Sequence, residues 1–435
     1  MIKNLLKLFL LLIFQNYYAQ VDKPYEIGTW FNFCSAAVTY TFDDNCSNQL
    51  LKVVPMFDEF GFKLTLFTVT NWGPNWTGLQ KAAANGHEIA SHTVTHTSLS
   101  GLSDEKQNTE LYNSQAAINS RITNQKCITF AYPYCQTGNY SLVSKYYIAA
   151  RGCQGYIESS TPSNIYNISS IICGSEGSVK RVSDFNSKAE NAARSKGWCV
   201  YLLHGIDNDG GYSPLPSDTL RKSIEYLKAN EERFWVSTFA NVVKYIKERN
   251  SIRIKEIYSS DDTIKVSITD TLDNNLFNHA VTIRRPLPTN WQNCVVKQNG
   301  SEISYKLVQI NFSNYVMFNP IPDNGEVLLI KNNVTDIREA ALTQKVTTPY
   351  LYDNYPNPFN PETIISYELP KASYVILKVF DVMGKEIAVL INDYKEAGRH
   401  EIKFSSDEYK LSSGIYFYTL QAGNQFYVKK MVLMR

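Results

Sequence analysis

Gly86-His87-Glu88-Ile89-Ala90-Ser91-His92-Thr93-Val94-Thr95-His96 reads in succession as the end of a helix, a short strand and a loop. Gly86 closes the helical pattern Leu79–Asn85, since glycine takes the left-handed conformation of a helix end without steric cost. Glu88–Ser91 is a strand, and two imidazoles, His92 and His96, follow it four residues apart. One helical turn or a tight loop can aim such a pair at one point, and imidazole is the commonest metal ligand among side chains. Three of the chain's six histidines lie in this stretch. Two surface histidines alone would look the same, so the surrounding pattern decides.

That pattern repeats from Ser35 to Asn250. Strand candidates are Ala37–Phe42, Leu64–Thr70, Glu88–Ser91, Ile128–Tyr132, Val200–Leu203 and Trp235–Ser237. Between them lie helical patterns at Gln49–Phe60, Leu79–Asn85, Asp104–Ile122, Ser141–Ala150, Ser187–Lys196, Asp218–Ala229 and Phe239–Arg249. Ser103 and Thr238 stand as N-caps, and Gly61, Gly86 and Gly197 as stops. Alternation of strand and helix over this length predicts a parallel sheet closed into a barrel, with chemistry in the loops after the strands. Asp43-Asp44, His92 and His96, Tyr132-Pro133-Tyr134 and His204 each close or follow one of these strands.

The 435 residues require several domains. Met1–Ala19, with Lys3 and Lys7 before the apolar Leu8–Phe14, reads as a signal peptide, and no later run is long enough to span a membrane. Net charge is +2 without a dense basic block, which argues against a nucleic-acid partner. Export makes the eight cysteines candidates for disulfides. The open pairings include Cys153 with Cys173, and Cys46 with Cys135. The expected organisation is a catalytic domain over 20–250, a β-sandwich-like accessory domain over 251–331, a linker over 332–350 and a last all-β domain over 351–435. His279, alone in the accessory domain, reads as structural or exposed.

Tyr355–Thr363, Val379–Lys385 and Ser413–Tyr418 resemble the C-terminal sorting domain of type IX secretion. That resemblance implies a partner in the secretion machinery and passage across the outer membrane, to the cell surface or beyond. Thr41-Phe42-Asp43-Asp44, His92–His96, Phe130–Tyr134 and Leu202-Leu203-His204-Gly205-Ile206 together resemble the motifs of the polysaccharide deacetylases, carbohydrate esterase family 4. The resemblance implies a distorted (β/α) barrel and metal-dependent removal of acetyl groups from glycans built on N-acetylglucosamine.

Residue chemistry agrees. Asp44, His92 and His96 form a three-ligand set for Zn2+, or another divalent ion such as Co2+, leaving positions open to water and substrate. Asp43 suits the general base and His204 the acid. By resemblance, the Tyr134 N–H faces the oxyanion; Tyr132, Leu202 and Ile206 are assigned to the substrate pocket. Three departures stand out. Ala131 occupies a position where many members carry an arginine that holds the base, so that partner is absent from the motif. A carboxylate to orient His204 is not evident, with Asp184 and Asp207 as candidates. Asn45 stands where glycine is usual. An O-acetyl esterase acting on acetylated xylan, or a non-catalytic glycan-binding protein, are the competing readings.

Overall fold

A computed structural model describes residues 20–310, 313–332, 349–352, 354–423 and 425–434. The leader and most of the linker fall outside them. The chain forms two compact units, Met1–Asn333 and Val334–Arg435.

The first unit is built on eight parallel strands: β1 (Ala36–Asp43), β2 (Thr65–Thr68), β3 (Glu88–Ser91), β4 (Thr129–Ala131), β5 (Ala149–Arg151), β6 (Ile171–Ile172), β7 (Trp198–Leu203) and β8 (Phe234–Val236). Their order is β5-β4-β3-β2-β1-β7-β6, and β8 pairs with the lower half of β1. Ile168 bridges Arg151 just before β6 joins β7, and this links the two ends of the sheet. The result is a distorted barrel, as expected. All eight residues of β1 are buried, which explains why it reads as an unbroken apolar run.

Helices α1 (Val54–Glu59), α2 (Trp76–Ala84), α3 (Asp104–Asn119), α4 (Tyr140–Tyr146), α5 (Val182–Ser195), α6 (Ser217–Lys228) and α7 (Phe239–Ser251) connect the strands. The side chains of Ser103 and Thr238 cap α3 and α7. One helix reading needs correction: Ser141–Ala150 is not one helix, because it stops at Tyr146 and Ala149–Arg151 is β5. Alanines favour helix locally, but here burial inside the barrel decides, and three residues are too few to show alternation.

Glu88 anchors the barrel floor. Its buried carboxylate accepts the hydroxyls of Thr65 (2.8 Å) and Thr129, and the Ala240 N–H (2.8 Å) at the start of α7. A carboxylate there satisfies an otherwise unbonded helix-terminal donor and complements the helix dipole.

Two sheets of a sandwich follow, formed from β9 (Arg253–Ser259), β10 (Thr263–Thr269), β11 (Ile283–Pro286), β12 (Cys294–Gln298), β13 (Ser301–Glu302), β14 (Tyr305–Ile310), β15 (Ser313–Phe318) and β16 (Val327–Lys331). Each sheet takes a strand from the chain's start: Gln20–Val21 runs parallel to β9, and Glu26–Ile27 antiparallel to β11. One apolar cluster runs from Ala37, Trp198 and Phe239 to Ile254, Val281 and Val296. Barrel and sandwich therefore share a core across the position where the sequence suggested a boundary. His279 sits in it, its ring edge-on to Phe31, Tyr245 and Trp235.

The second unit has a three-stranded and a four-stranded antiparallel sheet around Tyr367, Leu377, Tyr418 and Leu420. No helix of the described residues is long and apolar enough to cross a membrane.

Candidate active site

The upper rim of the barrel gathers the loops after β1, β3, β4 and β7. Asp44 Oδ1 lies 3.2 Å from His96 Nε2 and 3.5 Å from His92 Nε2. With bonds of about 2.0–2.1 Å, tetrahedral donors stand roughly 3.4 Å apart, so this set fits a zinc-like ion. It is the one such cluster among the described residues. Asp44 Oδ1 is buried without a hydrogen-bond donor, as a ligand oxygen would be. His92 Nδ1 is 2.9 Å from the Ala131 carbonyl, so it donates there and leaves the Nε2 lone pair facing Asp44. Burial also pushes the His92 pKa down, against the pull of Asp43 and Asp44, which favours the neutral, ligating form. Burial pushes Asp44 up, but the neighbouring imidazoles of His96, His92 and His204 outweigh it and hold it below its usual value.

The loop backbones are held in demanding conformations. Asp44, Asn45, Thr93, His96, Tyr134 and Cys135 all have positive φ. For β-branched Thr93 at φ 68 this costs roughly 1–3 kcal/mol, so something must hold it. Glu110 of α3 does so: it accepts the N–H groups of Val94 (2.8 Å) and Thr95 (3.0 Å) and the Thr95 hydroxyl (2.9 Å). Asn45 tolerates the left-handed region in place of glycine, and its side chain donates to the Val69 carbonyl and accepts the Val69 N–H. Gln49 ties the first and last loops together, donating to the carbonyls of Asp43 (2.5 Å) and His204 (3.0 Å). Gly205 passes so close to Gly211 that a Cβ would lie 2.7 Å from the Gly211 carbonyl oxygen.

Asp43 Oδ2 is 3.6 Å from His92 Nε2 and 4.0 Å from His204 Nε2. His204 Nε2 is also 3.9 Å from Asp44 Oδ2, so both carboxylates and three imidazoles face one point. Asp43 does have a guanidinium partner. Arg151, on β5, is fully buried and donates from Nη2 to Asp43 Oδ2. Arg151 is the register partner of Ala131. The arginine missing from the motif on β4 is thus supplied one strand over, at the same level of the barrel. Reading β5 as helix hid it; a buried strand at Ala149–Arg151 would have been the signal.

Among the described residues no carboxylate pairs with His204 Nδ1. Asp184 accepts the Lys180 and Arg181 N–H groups at the start of α5, and Asp207 pairs with Lys52 and accepts the Ser217 N–H. Both expected orienters are corrected on that ground. His204 Nδ1 is buried with no partner, and the ring packs edge-on against Tyr212 at 5.0 Å. Burial pushes its pKa down despite Asp43 and Asp44. Tyr134 is exposed, with its ring 4.7 Å from His96. Tyr132, Leu202 and Ile206 are all buried, and the Tyr132 hydroxyl donates to the Tyr166 carbonyl. They form a layer beneath the rim rather than open walls, whereas the exposed aromatics at the rim are Trp72, Tyr134 and Tyr212. His87 lies outside the site, between the Leu64 N–H and Asp58.

The disulfide joins Cys135 to Cys153, with Cα atoms 5.7 Å apart, while Cys46 and Cys173 are free thiols. This replaces both expected pairings. Cys135 and Cys153 leave the tops of neighbouring strands β4 and β5, which brings them within bridging distance.

Residues 32–149 match the family model for polysaccharide deacetylase, and 353–434 the model for a secretion system C-terminal sorting domain. The first match contains Asp43, Asp44, His92, His96 and Tyr134 but ends before Arg151 and His204. A gellan lyase of Bacillus sp is 27% identical over 326 residues; this covers 70% of the chain but 13% of that protein, so the chain spans a small part of its length. A domain of a multidomain xylanase from the hindgut metagenome of Trinervitermes trinervoides is similar at 20% identity and TM-score 0.35, over 48% of this chain and 89% of that one. A family 4 acetyl xylan esterase from Clostridium thermocellum is similar at 17% identity and TM-score 0.35, over 47% and 89%. On motifs, topology and family models together, this chain carries a polysaccharide deacetylase domain and, at its C-terminus, a type IX secretion sorting domain.

Proposed function

We propose that the chain is an exported, metal-dependent deacetylase that hydrolyses acetyl groups on N-acetylglucosamine-containing glycans. The observation that carries this reading is the convergence of Asp44, His92 and His96 on one point, with Asp43 and His204 beside it. Asp44, His92 and His96 would hold the ion, which when bound supplies a Lewis acid and lowers the pKa of water. Asp43, held in place by Arg151, takes the proton from the attacking water. The water oxygen bonds to the acetyl carbon, the C–N bond breaks, and His204 delivers a proton to the departing nitrogen, giving acetate and a free amine. By resemblance to the family, the Tyr134 N–H would donate to the oxyanion, a contribution of about 3 kcal/mol for such donors. Trp72, Tyr134 and Tyr212 offer flat apolar faces at the rim that suit sugar rings.

One observation favours an O-acetyl ester substrate instead. His204 lacks a carboxylate on Nδ1, and an alkoxide leaves with less help from an acid than an amide nitrogen does. Acetate release by the zinc-loaded protein across a glycan panel separates the two. Release from N-acetylglucosamine oligomers supports the first reading, release from acetylated xylan alone supports the second, and release from neither rejects both.

A further inference from the structure

The loop that carries His204 returns through Gly211, Tyr212 and Ser213, and a different part of the barrel anchors each of these residues. The Gly211 N–H donates to Asp209 Oδ1 at 3.2 Å. The Tyr212 carbonyl accepts the N–H of Gly205, the residue beside His204, at 3.1 Å. The Ser213 hydroxyl donates at 2.8 Å to the carbonyl of Cys173, just after β6. Asp209 also accepts the N–H groups of Ile206 and Asn48, each at 3.2 Å, which ties this loop to the one bearing Asp43 and Asp44.

The two glycines let the outgoing and returning chains touch. A Cβ on Gly211 would lie 2.6 Å from Gly205 Cα and 2.5 Å from Cys46 Sγ. This approach sets the Tyr212 ring against the His204 ring, with centroids 5.0 Å apart and planes at 87°. Such a perpendicular arrangement is a favourable one for two rings. On its other side the imidazole points Nε2 at Asp43 Oδ2 (4.0 Å) and Asp44 Oδ2 (3.9 Å). Among the described residues its Nδ1 has no hydrogen-bond partner. Rotation of an imidazole about χ2 is broad unless a neighbour restricts it, and here packing must take the place of a hydrogen bond.

We propose that Tyr212 is the positioning residue of the acid. Its ring, not its hydroxyl, fixes the rotation of His204 so that Nε2 faces the departing group. A carboxylate on Nδ1 does this work in other acid–base pairs. The proposal rests on the deacetylase reading, since only there does His204 give up a proton. Tyr212 is exposed, so stacking on a sugar is the role from which positioning has to be told apart.

A double-mutant cycle makes that distinction, run on the full zinc-loaded chain with the acetylated glycan that the parent hydrolyses fastest. Tyr212→Ala is expected to lower kcat roughly 10–10²-fold, as a small misplacement of a reacting group does. KM should stay within about twofold and zinc content should not change. Restoring a ring as Tyr212→Phe should recover most of the rate. In a His204→Ala background the same Tyr212→Ala change should cost less than about twofold, because a residue that works through His204 has nothing left to position. Equal losses in the two backgrounds with a raised KM would overturn the proposal and assign the ring to sugar stacking. Parent-like kcat in Tyr212→Ala, or loss of its zinc, would overturn it too. A parent chain that releases no acetate from any acetylated glycan would instead reject the deacetylase reading, and this proposal with it.

Discussion

At the scale of single residues, the site divides labour between two adjacent carboxylates. Asp44 turns toward His92 and His96, while Asp43 turns toward a buried arginine. The second contact is the part that sequence reading missed. The ligand set, the base and His204 were legible because each follows a strand and belongs to a motif. Arg151 belongs to none, and its strand has three residues. Removing it should leave metal content intact, since it touches no ligand of the ion. Arg151→Ala is expected to lower kcat by roughly 10²-fold by misorienting the base. Ala131→Arg added to Arg151→Ala should recover part of the rate, since the two positions are register partners. Metal analysis and steady-state rates check these outcomes.

Among the elements, the loop Thr93–His96 shows how strain is held. Its left-handed Thr93 and His96 are stabilised from outside by Glu110, and helix α3 is what brings Glu110 there. Glu110→Ala should weaken metal binding about 10–100-fold, as expected for the loss of a group that fixes a ligand loop. Competition with a chromophoric chelator measures this. The Cys135–Cys153 bridge similarly joins the Tyr134 loop to the strand of Arg151. Its closed loop spans 18 residues, so replacing both cysteines with serine should cost about 3 kcal/mol in denaturant unfolding. Strand and helix types were largely readable from period and caps. Pairings of cysteines were not, because connectivity depends on which strand tops end up adjacent, and that required β5.

For the whole molecule, the sequence separated barrel from sandwich by a change of pattern, yet the fold joins them. Residues 20–27 add a strand to each sandwich sheet, and a single core runs between the two parts. Pattern reading could not show this, since two-residue strands carry no periodicity. Residues 20–333 should therefore melt in one cooperative transition by calorimetry. Residues 28–250 alone should be insoluble or unfolded, because they expose Trp30, Trp198 and Phe239. The central claim is that one carboxylate of the Asp43-Asp44 pair holds an ion and the other does proton chemistry on an acetyl group. Metal content by mass spectrometry and acetate release, measured together on Asp43→Asn and Asp44→Asn, test it most directly. The account expects Asp44→Asn to lose both metal and activity, and Asp43→Asn to keep its metal while losing about 10²–10⁴-fold in rate. An Asp43→Asn protein that sheds its metal or hydrolyses at the parent rate would contradict it.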